Sequence, residues 1–280
     1  MYLIGKQTFK HLLLLFVVMG SAPCAAQRHT SFSLTTRNGV GTDLFREEGA
    51  SPLTYTGPGI SLGRDLTLDW KRYRLVWQQD ASAAYNPDSR HTAAAISGTY
   101  HGGIGFLYQW SDPSCLRFRG WGGAGIGDQL FLSYNSALEN AAVGYCNFLD
   151  ADLLARVEWD FALRKQRAEK RFTAFGTLRL PIVSWMHRPG FSYLTNANTI
   201  DYNKLRIHDE TYEKLWKALS GLQTGTGVAY CMRNHNRIAL SYGWLFRSTG
   251  NKGLYHYHHA QHFLQCELTF NFMHIDHENQ

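Results

Sequence analysis

Residues Leu264–Phe272 read LQCELTFNF, and this stretch decides the fold. One parity carries the apolar and aromatic side chains, which are Leu264, Cys266, Leu268, Phe270 and Phe272. The other parity carries the polar side chains Gln265, Glu267, Thr269 and Asn271. Because successive side chains of a strand point to opposite faces, a period of two predicts a β-strand with one apolar and one polar face.

The same alternation recurs along the chain and predicts ten strands. Their approximate ranges are 31–39, 55–68, 71–85, 91–110, 115–134, 141–163, 171–186, 221–232, 237–247 and 254–272. Several of these are longer than the ~9–11 residues with which a tilted strand crosses a membrane. Short turns, such as 69–70 and 233–236, alternate with longer connections, of which 187–220 is the longest. Within that connection, good helix formers at 213–219 predict a short helix.

Composition narrows the class of protein. The 280 residues include 26 Gly and 14% aromatic residues, with 44% hydrophobic and 18% charged residues, which excludes a disordered chain and a coiled coil. No apolar run reaches the ~18 residues of a transmembrane helix. The formal net charge is +6 without a basic stripe or a nucleic-acid-binding motif, so nucleic acid is excluded as a partner.

The first 26 residues have the pattern of a secretory signal peptide. Lys6 and Lys10 precede the apolar run Leu12–Val18, and small residues follow up to Ala26. We therefore predict export through a cleaved signal peptide at 1–26 and a single β-barrel domain at 27–280, with the barrel at about 31–272. The spacing of Cys115, Cys146, Cys231 and Cys266 does not determine whether they form disulfides, although isolated thiols on strands are favoured.

The predicted fold is all-β: a transmembrane, antiparallel, up-and-down β-barrel of about ten strands. Export, long strands, a polar face rich in Gly and in both signs of charge, and aromatic residues near strand ends all favour a membrane barrel. In lipid every backbone N–H and C=O must be paired, and a closed sheet achieves this with strands. The competing interpretation inverts the faces and gives a soluble exported β-barrel binding protein with an apolar interior.

From Ser31 to Phe272 the chain resembles the small Gram-negative outer-membrane β-barrel proteins in architecture, without a family-specific motif. The ending LTFNF at 268–272 resembles the aromatic-ended final strand that the barrel-assembly machinery recognises. The resemblance implies location in the outer membrane, with outer-membrane lipid and that machinery as partners. Residues Met273–Gln280 follow the final aromatic residue, which departs from the usual pattern.

The polar parity predicts a network of charges inside the barrel. Its members are Arg74, Asp80, Arg117, Arg119, Arg156, Glu158, Asp160, Arg179 and Glu267. A barrel of about ten strands is narrow, because ~8 strands are filled by their own side chains and open channels need ~16–18. We therefore expect paired charges to fill the lumen as a solid polar core rather than to form a general porin. A proton or small-solute path through these charges is the alternative.

A non-catalytic role in anchoring, binding or accessory function is the leading prediction, with a surface partner at loop 187–220 and no cofactor. The alternative is a hydrolase at the barrel rim, either a lipid hydrolase or an enzyme similar to the omptin proteases, which are also ten-stranded barrels. Its candidate catalytic residues are Asp150 and Asp152 on the sixth strand and His208 and Asp209 in the long loop. His256 and His258 are candidate metal ligands only as an alternative, because an amphipathic, partly solvated strand end is the favoured explanation.

Overall fold

A computed structural model describes residues 28–47, 53–88, 93–112, 117–135, 143–161, 172–189, 211–216, 221–249 and 257–277. These residues form eleven strands. The strands are β1 (Arg28–Glu47), β2 (Tyr55–Trp70), β3 (Tyr73–Pro87), β4 (Ala94–Gln109), β5 (Phe118–Tyr134), β6 (Val143–Phe161), β7 (Phe172–Pro189), β8 (Thr211–Trp216), β9 (Gly221–Cys231), β10 (Arg237–Ser248) and β11 (Tyr257–His277). Within the described ranges, no helix has the length and apolarity needed to cross a membrane.

The strands close into one antiparallel barrel. From β1 to β7, neighbouring strands in the chain pair with each other. The free edge of β7 pairs with β9, β9 pairs with β10, and β10 pairs with β11. The ring closes where β11 pairs with β1. Because β8 and β9 pair with successive parts of β7, they occupy one position in the wall, which therefore has ten positions. The predicted ten-strand, up-and-down β-barrel is confirmed.

The predicted helix at 213–219 is wrong where the structure describes it. Thr211–Trp216 is the strand β8, and it pairs with the end of β7 from Ser184 to Pro189. Good helix formers are a weak local preference, and pairing with an otherwise open strand edge overrides it. On the other edge of β7, Pro181 faces Asp152 of β6 beside a register shift, as expected for a residue that cannot donate a ladder hydrogen bond.

The first and last strands are longer than predicted. The first runs to Glu47 rather than ending at residue 39, and the last continues to His277 rather than ending at 272. The two pair along their whole length, from Arg28 opposite His277 to Glu47 opposite Tyr257. Gly39 and Gly41 both lie within this ladder. A Cβ atom at Gly41 would collide with the backbone carbonyl oxygen of His262, and one at Gly39 would meet the side chains of Ser61 and Gln265.

Apolar side chains face outward around the ring. Ile60, Ile126 and Leu240 each expose about 60% of their surface, and their inward neighbours along the strand are far less exposed. On β3 the outward-facing residues run from Tyr73 to Tyr85, a length of about twelve residues. With a rise of ~3.3 Å per residue and a tilt of ~40°, this length corresponds to roughly 30 Å along the membrane normal, which is the thickness of a bilayer core. We call this surface the apolar belt. The inverted, soluble arrangement of the two faces is therefore wrong.

The two ends of the barrel differ. We call the end that carries Arg28 of β1, His277 of β11 and the 71–72 and 233–236 turns the turn end, and the opposite end the loop end. Aromatic residues border the belt at the turn end, where Trp70 contacts Tyr73 and Phe172 contacts Tyr230 at 5.7 and 5.4 Å between ring centroids. Such girdles are typical of strands that end at a membrane surface.

Gly123 tests how closely the strands approach one another. A Cβ atom at this inward position of β5 would collide with the backbone carbonyl oxygen of Phe106 on β4. We expect Gly123→Ala to reduce stability by about 1–3 kcal/mol, because the collision is with backbone that cannot rotate away. At Gly243, also inward, the nearest atom is 3.5 Å away, in the flexible Gln265 side chain, so Gly243→Ala is the matched control. Urea midpoints of the detergent-solubilised barrels measure the difference, and equal midpoints would contradict the close approach.

Candidate functional site

The loop-end half of the lumen is filled by an apolar cluster, which we call the plug. Its large members are Phe45, Tyr55, Phe131, Phe148, Met186 and Tyr257, and none exposes more than 4% of its surface. Phe131 lies at the centre, with its ring 5.1 Å from that of Phe45 and 5.5 Å from that of Tyr257. Inward-pointing aromatic residues from opposite walls thus meet across the barrel, so water is excluded at this level. The predicted solid polar core is wrong here.

Asp43 anchors a buried polar group beside the plug. Its carboxylate lies 2.7 Å from His259 Nε2 and accepts a 2.6 Å hydrogen bond from the Ser97 hydroxyl. The Asn86 amide donates to Asp43 at 3.0 Å and to Ser97 at 2.7 Å. The residue types are those of a hydrolytic triad, but here the carboxylate lies between serine and histidine, so histidine cannot take the serine proton. The group ties β1, β3, β4 and β11 together.

Arg247 and Asp150 form a second buried pair beneath the plug. Arg247 donates to both Asp150 oxygens, and its other contacts include Gln129 at 2.9 Å. The Ser184 hydroxyl donates to Asp150 at 2.5 Å. The guanidinium group also stacks on the Phe148 ring at 4.6 Å, which joins the ion pair to the plug. A buried charge pair is tolerated when hydrogen bonds of this kind surround it.

A chain of ion pairs crosses the middle of the lumen. Arg37 on β1 binds Asp65 on β2 and, at 2.8 Å, Asp80 on β3. Asp80 lies 3.8 Å from His101 Nδ1, and the other ring nitrogen of His101 contacts Arg179. Arg179 Nε is 3.0 Å from Asp152 on β6. Polar contacts therefore continue from β1 to β7 across the interior, with His101 between Asp80 and Arg179.

Four arginines surround Glu158 near the turn end. Arg156, Arg119 and Arg74 lie 2.8, 3.0 and 3.4 Å from its carboxylate, and Arg237 lies 3.9 Å away. The carboxylate is 1% exposed, while three of the arginines keep about 30% of their side chains exposed. Arg74 also binds Asp69 at 2.6 Å and stacks on Trp121 at 4.2 Å.

The turn-end half of the lumen encloses a cavity of about 1040 Å³. Its lining includes the Glu158 cluster and the Arg37–Asp80–His101 chain, together with apolar side chains such as Trp121 and Phe175. The plug residues do not contribute to that lining. The interior is thus divided into a charged cavity near the turn end and a packed, water-free half near the loop end.

The structure brings most of the predicted charge network into these clusters. Arg74, Arg119, Arg156, Glu158 and Asp160 meet at the turn end, while Asp80 and Arg179 meet through His101. Glu267 lies apart and accepts a 2.5 Å hydrogen bond from Ser241. Arg117 does not enter the lumen, because it lies at the first exposed position before β5.

The sequence did not single out several partners that the structure shows. Arg37, Asp65 and Asp69 share the inward parity of their strands, so the alternation could have revealed them. Asp43 lies beyond the predicted end of the first strand, and no motif in the sequence marks His259. Their pairing across 216 residues of sequence could not be predicted without the barrel register.

The candidate catalytic residues do not form an open rim site within the described chain. Asp150 and Asp152 are buried on the inner face of β6, each bound to an arginine. His208 and Asp209 lie outside the described residues, as does the candidate metal ligand His256. His258 lies near the ring of Phe246 on the outer face, and no group of three or more metal-ligating side chains occurs among the described residues. Cys231 and Cys266 are free thiols, and Cys115 lies outside the described residues.

Structural comparison finds likeness to outer-membrane barrels. The outer-membrane protease OmpT of Escherichia coli is 9% identical, with 91% of this chain and 100% of that chain covered and a TM-score of 0.49. The translocator domain of the autotransporter NalP of Neisseria meningitidis is 8% identical, covers 96% of each chain and has a TM-score of 0.42. No protein-family model and no curated protein matches the sequence. The likeness concerns barrel architecture and carries no argument about activity.

Removal of Glu158 tests the turn-end cluster. Glu158→Ala leaves four neighbouring arginines without their shared carboxylate, so we expect a loss of about 2–4 kcal/mol in the free energy of unfolding. Arg117→Ala, at an exposed position, is the control and should change stability by less than about 0.5 kcal/mol. Urea titration followed by tryptophan fluorescence measures both. A Glu158 variant as stable as the Arg117 variant would show that the cluster contributes nothing.

Proposed function

We propose that this protein is a non-conducting outer-membrane barrel that anchors an exposed binding surface. The apolar belt with its aromatic border supports residence in a lipid bilayer, because so much exposed apolar surface is costly in water. Among bacterial membranes, the outer membrane is the one that closed barrels occupy, and the export signal predicted at 1–26 agrees with it. Outer-membrane lipid and the barrel-assembly machinery are the partners that this location implies.

The plug is the observation that carries the proposal. A transport pore requires a continuous aqueous path, whereas Phe131, Phe148 and Tyr257 are fully buried against one another in the loop-end half. The buried Asp43–His259 and Arg247–Asp150 pairs lie beside and beneath them and hold the surrounding walls together. Among the described residues, the plug therefore separates the charged cavity from the loop end.

The connection between β7 and β8 is our candidate for the partner-binding surface. Together with the adjoining strand ends it covers the predicted loop 187–220, and it is the longest connection at the loop end. A barrel whose interior is closed acts through what it displays at its ends, and long connections carry binding residues more often than strands do. The proposed partner is another molecule at the cell surface.

A hydrolase working at the rim is the second candidate, and its candidate catalytic residues His208 and Asp209 lie outside the described residues. The burial and ion pairing of Asp150 and Asp152 argue against their acting with that couple, since both carboxylates face the interior. Activity of purified protein on a panel of peptides and lipids, lost in His208→Ala, would favour the enzyme over the anchor.

Conductance in a planar bilayer tests the plug. We expect the purified protein to show no steady single-channel conductance, and the double variant Phe131→Ala/Phe148→Ala to show measurable openings, because removing two rings creates space that water can enter. Tyr134→Ala is the matched control, since Tyr134 lies on the same strand as Phe131 but faces outward and is 50% exposed. Steady conductance of the unmodified protein would refute the closed barrel.

Trypsin added to intact cells tests the orientation. If the loop end faces outward, cleavage should occur after Lys204 or Arg206 in the long connection and leave the basic segment 164–170 intact. Mass spectrometry of the released and retained fragments identifies the sites. Lysed cells should add cleavage at 164–170, and cleavage there in intact cells would reverse the topology.

A further inference from the structure

Two charged side chains face outward within the apolar belt. Arg64 of β2 alternates with Leu62 and Leu66, and Asp128 of β5 alternates with Ile126 and Leu130. Among strand residues whose side chains the structure describes, no other Asp, Glu, Lys or Arg faces outward between the two borders of the belt. Arg64 lies six residues from Trp70 at the aromatic border, which is near the middle of the bilayer. Charges at this depth are costly and mark functional positions by default.

Neither charge has a partner within the described chain. Inward arginines such as Arg37 and Arg74 are each bound to carboxylates, whereas Arg64 and Asp128 form no ion pair with the described residues. They cannot neutralise each other, because three strand spacings of ~4.8 Å separate their Cα atoms by about 14 Å. Among the described residues both charges are therefore left open to a partner charge outside this part of the chain.

The two charges belong to one row across the outer face. Arg64 pairs in register with Gln79 on β3, Gln79 with Gly102 on β4, and Gly102 with Asp128 on β5. The Tyr100 hydroxyl lies over Gly102, so a phenol also joins the row. Ala81, Ala83 and Gly98 lie beside it, and these small residues leave the β3–β4 surface shallow. We call the surface formed by Arg64, Gln79, Tyr100, Gly102 and Asp128 the polar row.

We propose that the polar row is the contact surface of a homodimer within the membrane. A twofold axis along the membrane normal, passing between β3 and β4, places Arg64 of one copy opposite Asp128 of the other, and the reverse. The surface carries one charge of each sign and is therefore complementary to itself, as an isologous contact requires. Because the strands are tilted, Asp128 lies about 9 Å higher along the membrane normal than Arg64. An extended Arg64 side chain of one copy and the Asp128 side chain of the other can together span this difference in height.

The two opposite charges of the polar row favour a second copy of this chain as the molecule that covers it. Lipid chains offer no charge at the depth of Arg64, and lipid headgroups lie at the surface, too far from this residue near the middle of the bilayer. A partner with only one sign of charge would leave either Arg64 or Asp128 unpaired in lipid. A second copy satisfies both at once, with Gln79 and the Tyr100 hydroxyl near the axis as further hydrogen-bonding groups.

Substitution of the two charged residues, with the oligomeric state measured in detergent micelles, tests this dimer. Sedimentation velocity in density-matched detergent should show a dimer for the unmodified protein. R64L and D128L should each weaken it by about tenfold or more, because the remaining charge is left unpaired in an apolar interface. R64D alone and D128R alone should be monomeric, while a mixture of the two, or the double variant R64D/D128R, should dimerise again.

The controls keep the outcome clear. R64L places an apolar side chain against lipid, so it should fold at least as well as the unmodified protein, and its loss of dimer cannot be attributed to unfolding. Thr226→Leu makes a similar outward, polar-to-apolar change on β9 in the opposite wall and should leave the dimer intact. A monomeric unmodified protein, or an R64L variant that dimerises with unchanged affinity, would overturn the proposal. Neither result depends on whether the barrel conducts.

Discussion

Backbone hydrogen bonding in lipid is the constraint on which the rest of this structure depends. An open sheet edge in the bilayer would leave a row of N–H and C=O groups without partners, so the sheet must close. Two sets of pairings close the described sheet. β1 pairs with β11 from Arg28 to Glu47, and the edge of β7 that faces away from β6 pairs with both β8 and β9. The demand for closure explains why Thr211–Trp216 forms a strand despite its composition. It also explains why the glycines Gly39 and Gly41 sit within a ladder rather than in a loop.

Closure with ten wall positions fixes what the interior can hold. The lumen is wide enough for side chains from opposite walls to meet, and it is too narrow for an open channel of porin size. Near the loop end the meeting side chains are aromatic and exclude water. Near the turn end they are arginines and carboxylates, whose exposed guanidinium groups line a cavity of about 1040 Å³. The same wall therefore encloses a packed core at one end and a hydrated chamber at the other.

The sequence predicted the strands, the faces and the barrel because a period of two is an unambiguous local signal. It did not predict the ends of β1, since Gly39, Gly41 and Asp43 have local preferences for turns. It identified inward charges by parity but could not pair them. Arg247 and Asp150 are 97 residues apart, and Arg74 and Glu158 are 84 apart, so their contacts depend on register and tilt around the whole ring. The plug was missed for the same reason: parity marks Phe45 and Phe131 as inward but does not show that they lie at the same depth.

Arginine and aspartate occur in three environments in this barrel, and the environment determines what each charge implies. In the hydrated cavity, Arg119 and Arg156 share Glu158 and keep contact with water, so their role in holding the walls together explains them fully. Beneath the plug, Arg247 is dry, and its pairing with Asp150 and stacking on Phe148 supply what water would otherwise supply. In the apolar belt, Arg64 has no counter-ion among the described residues, and an arginine near the bilayer midplane costs a barrel roughly 2–4 kcal/mol. An inward charge in this barrel is paired within the described wall, whereas a charge on the outer face has no opposite wall to pair with. The outward charges are therefore the ones that inform a proposal about assembly.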